Sequence, residues 1–344
     1  MRHNTLMRFA RALAALALSV PVARAENNMS ASLVRTPPGQ LYMADGGRIF
    51  QVDTVRQRLK AVTPVIAARN LKVDGQSNVY ASSMRYDPRN DLYRPMIWRY
   101  NPGSNVAVAV SDREDTQYTF SNVADAEGNL YFWHVDAARE LSRILLRPKD
   151  GEPILLAGHQ WGLADGRGAE ARFSRLGGMT VGADGRLYVC DEQCIRRVDR
   201  DGTVTTVAQG GLLSLGAGRS QSNHLAALTA DDAGNLYAAD SVTRRILCIK
   251  PDGTVSTLAY SPEEWSLASI AWSDGALYVL ESNNHINRVV RITADGQRQE
   301  LEPHPQSNDS EPPPPLRLSS SDTDGRATFL PMFFMPVIGP LWLF

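Results

Sequence analysis

One short motif recurs along the chain and limits its fold more than any other feature. In its fullest form the motif reads Gly-x-Leu-Tyr-x-x-Asp, and its copies lie at 39–45, 77–83, 128–134, 185–191, 234–240 and 275–281. Six of the eleven tyrosines share one register within it: Tyr42, Tyr80, Tyr131, Tyr188, Tyr237 and Tyr278. Successive copies end 38, 51, 57, 49 and 41 residues apart. This spacing is typical of four-stranded propeller blades joined by loops of variable length.

The stretch 182–208 shows what one repeat contains. Its three apolar runs, at 186–190, 194–198 and 203–207, are rich in Val, Ile, Tyr and Thr. One Asp-Gly pair precedes the first run and another separates the last two, which predicts tight hairpin turns. With 179–181 in front, the runs predict four antiparallel strands in one sheet. We therefore predict an all-β fold, a six-bladed β-propeller of four-stranded blades over residues 30–302.

A loop pattern before the fourth copy adds a family resemblance. Within 158–191 the pattern Gly-x-x-Asp-Gly-x-Gly-x-x-Ala-x-Phe is matched by Gly162, Asp165, Gly166, Gly168, Ala171 and Phe173. This segment resembles the NHL-repeat family, and the resemblance is strongest over 158–301. It implies a six-bladed propeller. It implies no single function, because NHL propellers include protein binders, RNA binders, extracellular sensors and a few enzymes.

The N-terminus has the pattern of a secretory signal peptide. Residues 1–25 combine early arginines, an apolar run at 12–22 and a small-x-small end at 23–25. We expect export to the periplasm or the extracellular space; an ordinary N-terminal helix is the alternative. Removing the four arginines of this segment changes the formal net charge from −1 to −5. A mildly acidic chain lacks the basic surface of a nucleic-acid binder, so we expect no nucleic-acid partner.

The C-terminus departs from the repeat. Residues 303–328 have the Pro- and Ser-rich composition of a linker, and residues 329–344 form an apolar tail with three prolines. As a helix, sixteen residues would reach about 24 Å, short of a bilayer core of roughly 30 Å. Three destinations stay open for the tail: docking on the propeller, contact with a membrane interface, or contact with a partner.

Propeller geometry predicts which face binds. In each blade, with strands A to D in chain order, the A–B and C–D turns share one face and the B–C and D–A connections share the other. The second set includes the long connections at 83–95, 111–121, 159–178, 209–224 and 260–267. Loops on a rigid scaffold commonly carry function, so we expect a protein or small-molecule ligand on the B–C/D–A face.

The second-blade connection is the first candidate for recognition on that face. It contains the candidate binding residues Arg85, Tyr86, Arg89, Tyr93 and Arg94. Arg and Tyr are favoured in interfaces because they bring large area and directional hydrogen bonds. Two aromatic residues on other loops of the face would extend the surface, Trp161 and Trp265. The alternative is that these aromatic side chains pack against neighbouring blades.

The residues that end the B strands form a second group of candidates: Asp45, Ser83, His134, Asp191, Asp240 and Glu281. We expect the three aspartates to accept backbone hydrogen bonds at turns. His134 and Glu281 depart from the repeat and are candidate binding residues.

Three histidines from different blades, His134, His224 and His285, raise an enzymatic alternative. Converging at the channel mouth, they would make a site for zinc or calcium and a metal-dependent hydrolase or lyase. His224 and His285 are otherwise candidates for ligand binding, like His134. No Gly-x-Ser-x-Gly elbow or phosphate loop is present, and we predict no catalytic residue, no metal ligand and no cofactor.

The cysteines give one further prediction. Cys190 and Cys194 bracket a predicted hairpin turn, and an exported chain matures under oxidising conditions, so we predict a disulfide between them. The alternative is a pair of small buried thiols. Cys248 lies in a predicted strand and is expected to be a core thiol.

Overall fold

The computed structural model describes residues 32–64, 66, 68–87, 92–110, 123–136, 139–209, 225–283, 286–301 and 316–318. At 69, 84–87, 92–95, 110 and 316–318 it describes the backbone alone. Within these residues the chain forms six small sheets and a single turn of 3-10 helix, Gly168–Glu170. The predicted six-bladed, all-β propeller is confirmed.

Each blade is built from four consecutive strands in antiparallel order. Blades 1 to 3 comprise β1 (Ser32–Arg35), β2 (Leu41–Asp45), β3 (Arg48–Asp53), β4 (Arg58–Ala61), β5 (Arg69–Val73), β6 (Val79–Asp87), β7 (Leu92–Asn101), β8 (Val106–Val110), β9 (Val123–Ala124), β10 (Leu130–Asp136), β11 (Leu141–Arg147) and β12 (Ile154–Ala157). A short strand, β13 (Gly166–Arg167), follows blade 3 in the chain.

Blades 4 to 6 comprise β14 (Leu176–Val181), β15 (Leu187–Asp191), β16 (Cys194–Val198), β17 (Thr203–Gln209), β18 (Leu225–Ala230), β19 (Leu236–Asp240), β20 (Arg245–Ile249), β21 (Val255–Tyr260), β22 (Ser266–Ser273), β23 (Ala276–Ser282), β24 (Asn287–Ile292) and β25 (Arg298–Glu300). β13 adds a fifth strand at the outer edge of blade 4. β26 (Leu316–Leu318), from the predicted linker, pairs in parallel with β8 at the outer edge of blade 2.

The first strands of the blades form a closed ring. β1, β5, β9, β14, β18 and β22 each contact the next, and β22 contacts β1. Because every blade consists of consecutive strands, the ring closes by packing instead of by a strand shared between the termini. At the closure, an apolar cluster joins Leu33 and Met43 of blade 1 to Tyr278 and Leu280 of blade 6. Asn287 Nδ2 also donates to Asp45 Oδ1 across this joint at 2.7 Å.

The other blade interfaces are apolar, with one exception. Buried clusters of the described residues join blades 1 and 2, 3 and 4, 4 and 5, and 5 and 6. Between blades 2 and 3 the A–B turns approach at Gly75 and Gly128, where a Cβ on Gly75 would lie 2.3 Å from the Gly128 carbonyl oxygen. Glycine at 75 is therefore required by the close approach of two backbones.

The repeated tyrosines are structural. In four blades the hydroxyl donates to an aspartate of the preceding A–B turn, in the pairs Tyr80–Asp74 (3.0 Å), Tyr131–Asp125 (3.2 Å), Tyr188–Asp184 (2.9 Å) and Tyr237–Asp231 (3.0 Å). Asp74, Asp125 and Asp231 also accept from the backbone and side chain of the asparagine four residues later. These bonds satisfy the tyrosine hydroxyls and order the turns, which accounts for the tyrosine register in these four blades.

The predicted disulfide is wrong, because both cysteines are free thiols. The register pairs Asp191 with Cys194 and Cys190 with Ile195. Residues opposite each other in an antiparallel pair share a sheet face, and consecutive residues alternate faces. Cys190 and Cys194 therefore lie on opposite faces of blade 4. Cys190 packs into the apolar cluster with blade 5, and burial raises the pKa of its thiol.

The second-blade connection is more regular than its sequence indicates. Residues predicted to form an irregular loop at 83–95 belong instead to a long hairpin, since β6 continues to Asp87 and β7 begins at Leu92. The β6–β7 hairpin therefore extends blade 2 toward the B–C/D–A face.

Candidate functional site

The acidic side chains that end the B strands are bound by other side chains of the propeller. Glu281 is fully buried, and its Oε2 accepts from Arg288 Nε at 2.8 Å while its Oε1 accepts from Arg298 Nη2 at 2.5 Å. The Arg288 guanidinium lies 3.9 Å from the centre of the Trp265 ring, a cation–π contact. Trp265 is only 7% exposed. Of the predicted binding residues, Glu281 and Trp265 thus lie inside blade 6, in an ionic and aromatic cluster that stabilises the fold.

Of the three B-strand-end aspartates, Asp240 forms the predicted turn, whereas Asp191 accepts from backbone N–H groups of the connection before blade 4 and Asp45 accepts from the Asn287 side chain. Asp240 Oδ1 accepts from the backbone N–H groups of Val242 and Thr243, both at 3.1 Å, as an Asx turn requires. Its Oδ2 accepts from Arg245 Nη2 at 3.3 Å. These carboxylate oxygens are therefore engaged within blade 5.

A buried arginine that the sequence did not single out organises the connection between blades 3 and 4. Arg196 has no exposed surface, and it donates to Asp191 Oδ2 at 2.9 Å and to Asp165 Oδ1 at 2.8 Å. It also donates to the carbonyl oxygens of Ala164 at 2.8 Å and Arg172 at 3.3 Å. One side chain thereby holds both ends of the segment 164–172 against β15.

The pKa values of the two carboxylates shift in opposite directions, although Arg196 favours the ionised form of both. Burial raises the pKa of Asp191, although its Oδ1 accepts from two backbone N–H groups, those of Ser174 and Arg175. Burial also acts on Asp165, but hydrogen bonds from Thr206 and the charge of Arg196 outweigh it and lower the pKa of Asp165. Asp165 and Phe173, both in the loop pattern of the sequence, contact Arg196, so the pattern marks the partners of this residue.

Four exposed apolar residues lie near the connection that Arg196 holds. We call them the blade-3 patch: Trp133, Val135, Trp161 and Leu163. Their exposed fractions are 41%, 51%, 43% and 51%. Trp133 and Val135 share one face of β10, since strand residues alternate, and the bridge between Leu141 and Gln160 puts Trp161 on that same face. The patch therefore lies at the B–C end of blade 3, on the face predicted to bind.

Two hydrogen bonds fix the position of Trp161. Its backbone N–H donates to the Glu140 carbonyl oxygen at 2.9 Å, and its Nε1 donates to the Leu141 carbonyl oxygen at 3.2 Å. A half-exposed ring with a satisfied indole N–H offers an apolar surface at little entropic cost.

His134 lies between Trp133 and Val135 on β10, so its side chain is on the opposite face of the sheet from the patch. Its Nδ1 is 3.1 Å from Arg143 Nη2. Because an arginine N–H can only donate, Nδ1 accepts and the ring proton of the neutral form lies on Nε2. His224 and His285 lie outside the described residues. Within the part of the chain that is described, no three His, Cys, Asp or Glu side chains are grouped as metal ligands.

The second-blade candidates are placed by their backbone only. Arg85 pairs with Arg94 and Tyr86 with Tyr93 across the β6–β7 hairpin. Arg89 lies outside the described residues. Among the helical residues described, none forms a helix long and apolar enough to cross a membrane.

No protein-family model matches this sequence, and no curated protein sequence matches it. Among solved structures, the chain is similar to virginiamycin B lyase from Staphylococcus aureus, with 13% identity over 82% of this chain and 86% of that chain and a TM-score of 0.43. It is also similar to a gluconolactonase from Xanthomonas campestris, with 13% identity over 77% and 87% of the two chains and a TM-score of 0.47. A nidogen/laminin complex gives 16% identity over 80% and 93%, with a TM-score of 0.47. At these values the similarity assigns no activity or partner to this chain.

Proposed function

We propose that this chain is an exported, NHL-type binding propeller that recognises a protein partner through the blade-3 patch on its B–C/D–A face. The observation that carries the proposal is that Trp133, Val135 and Trp161 are exposed on one face at the B–C end of blade 3, with the exposed Leu163 two residues further along the chain. Clustered exposed apolar residues of this kind are characteristic of interaction sites, and tryptophan is among the residues most enriched at interface hot spots.

The surroundings of the patch favour a protein over a small molecule. The patch is a surface feature, and Arg172 and Arg175 of the same connection between blades 3 and 4 are also exposed, which resembles the apolar centre and polar rim of a protein interface. Small-molecule sites are concave and enclose most of their ligand. The second-blade hairpin, with Arg85, Tyr86, Arg89, Tyr93 and Arg94, ends on the same face and would enlarge the contact.

Preorganisation is the second argument. Arg196 and its two carboxylates hold the segment 164–172, which directly follows Trp161 and Leu163, and Trp161 has its own hydrogen bonds to blade 3, so a partner would order few additional residues on binding. The alternative function, a metal-dependent hydrolase or lyase, has weaker support. Three B-strand-end carboxylates, of Asp191, Asp240 and Glu281, are each bound by an arginine of their own blade.

Export belongs to this proposal and rests on the signal-peptide pattern of residues 1–25. The apolar tail at 329–344 would then act outside the cytoplasm, where it would dock on the propeller, contact a membrane or contact a partner. Comparing the full chain with a chain ending at residue 302, by solubility and membrane fractionation, tests the membrane role. Equal behaviour of the two chains would exclude membrane contact.

The binding proposal is tested by comparing two exposed aromatic positions. The full chain, a Trp161→Ala variant and a Tyr260→Ala variant would each be used to isolate bound proteins from cells that produce the chain. Tyr260 is 62% exposed and lies on blade 5, so it controls for loss of a surface aromatic residue. We expect a specific partner to be lost with Trp161→Ala and retained with Tyr260→Ala. A partner retained by both variants, or lost equally from both, would refute the assignment to the patch.

A further inference from the structure

A cleft of about 390 Å³ opens between blades 1 and 2, on the face of the A–B and C–D turns. This face is opposite the blade-3 patch. We propose that the cleft binds a small neutral molecule rich in hydroxyl groups, of the size of a mono- or disaccharide. Its volume falls within the range of roughly 300–1,000 Å³ that small-molecule sites occupy.

The lining of the cleft carries no charged side chain. It consists of glutamines, an asparagine, a serine, prolines, a glycine and two tyrosines. Tyr42 and Tyr100 meet edge to face with ring centres 5.9 Å apart, and burial raises the pKa of Tyr100 to about 12, so the hydroxyl stays neutral. The nearby acid, Asp74, has both oxygens engaged by the A–B turn and Tyr80. A charged ligand would lose hydration here without gaining an ion pair, which favours a neutral one.

Three glutamine side chains supply hydrogen-bonding capacity. Gln40 Oε1 accepts from the Tyr42 hydroxyl at 2.9 Å, which leaves its amide nitrogen to donate. The side chains of Gln51 and Gln76 have no hydrogen-bond partner within the described part of the chain. Each free amide offers two donors and one acceptor, and a pair of neighbouring hydroxyls presents the complementary groups.

Apolar contacts come from both blades. Pro38 belongs to the A–B turn of blade 1 and Pro102 to the C–D turn of blade 2. Both rings present C–H surface to the cleft. A sugar ring combines hydroxyls at its edge with C–H groups on its faces, so both kinds of lining have a counterpart in one ligand.

The walls are preformed. Asn101 Nδ2 donates to Asn78 Oδ1 at 2.7 Å, and Asn101 Oδ1 accepts from the Ser104 backbone at 2.8 Å. The Tyr100 hydroxyl donates to Asn105 Oδ1 at 2.9 Å. A cleft fixed by its own hydrogen bonds loses little entropy when a ligand binds.

The test uses the full chain and a defined set of sugars: maltose, cellobiose, lactose, trehalose and glucose, with glucuronate and glucosamine as charged counterparts of glucose. Saturation-transfer NMR detects binding and isothermal titration calorimetry gives the Kd. Thermal shift is unsuitable, because sugars stabilise many proteins by exclusion from the surface. We expect at least one neutral sugar to bind with a Kd of about 1 mM or tighter, and to bind more tightly than its charged counterparts.

Variants locate the binding. Gln51→Ala and Gln76→Ala should each weaken it by roughly 3- to 10-fold, the loss expected for one hydrogen bond. Gln299→Ala, at an exposed position on blade 6, is the matched control and should leave the Kd unchanged. Trp161→Ala should also leave it unchanged, so this test is independent of the partner proposal. Failure of every neutral sugar to bind, preference for a charged sugar, or insensitivity to both glutamine variants would overturn the proposal.

Discussion

Replacing Arg196 by methionine would show how strongly one buried side chain holds the loop beneath the blade-3 patch. Methionine retains most of the apolar volume of the arginine stem, so little of the effect would come from a cavity. The substitution removes the cation that pairs with Asp191, which is fully buried and, among the described residues, would keep just the N–H groups of Ser174 and Arg175 as donors. Breaking a buried ion pair from one side costs about 3–5 kcal/mol.

The neighbouring arginine provides the control. Arg197 lies 3.2 Å from Asp199, but its side chain is 33% exposed and that of Asp199 is 25% exposed. Arg197→Met should therefore cost about 1 kcal/mol or less. Urea unfolding of the two variants measures the difference in free energy of unfolding. Hydrogen exchange should show faster exchange across 158–175 in Arg196→Met alone.

A pH series and a second substitution sharpen the result. The loss in Arg196→Met should shrink in acid, because a protonated Asp191 leaves no unpaired buried charge. For the same reason Asp191→Asn combined with Arg196→Met should recover part of the stability. Equal losses in Arg196→Met and Arg197→Met, or a loss below about 1 kcal/mol for Arg196→Met, would refute the reasoning.

Three further predictions concern the fold. Gly75→Ala should lower the free energy of unfolding by about 1–3 kcal/mol, because its Cβ would press on the Gly128 carbonyl. Gly103→Ala is the control: its Cβ would meet nothing closer than 3.4 Å, so the free energy of unfolding should change little. Denaturation without reductant should make three thiols available to a thiol reagent. Reaction of a single thiol would instead show that Cys190 and Cys194 form a disulfide. The pKa of Asp165 is lowered in the folded state, so its ionised form contributes stability above the unfolded pKa and that contribution disappears as pH falls through the folded value. Asp165→Asn should accordingly reduce the free energy of unfolding at neutral pH and match the parent chain in strong acid; a constant difference across pH would contradict this.

The parts of the fold that follow from local chemistry were predictable from the sequence. Alternating strands, Asp-Gly turns and a shared tyrosine register predict six blades, because each depends on residues within about five positions of one another. The turn role of Asp240 is equally local, since its backbone partners lie two and three residues away.

The remaining features depend on distant partners or on exact register. Arg196 binds Asp165, 31 positions earlier, and no local pattern distinguishes it from the half-buried Arg197. The sequence leaves open whether Trp265 extends the binding surface or packs against a blade, and the structure shows the second, with Arg288 against its ring. The Cys190–Cys194 prediction was wrong because the hairpin register begins at Asp191 and Cys194, which turns the two cysteines to opposite faces.

Photo-crosslinking at the blade-3 patch tests the central proposal most directly. A benzoylphenylalanine placed at Leu163, 51% exposed, leaves Trp161 intact, and the same group at Val242, 42% exposed on blade 5, is the control. After irradiation of producing cells, we expect discrete crosslinked species of higher mass from position 163 and none of these from position 242. The same products from both positions, or none from position 163, would contradict a partner-binding role for the patch.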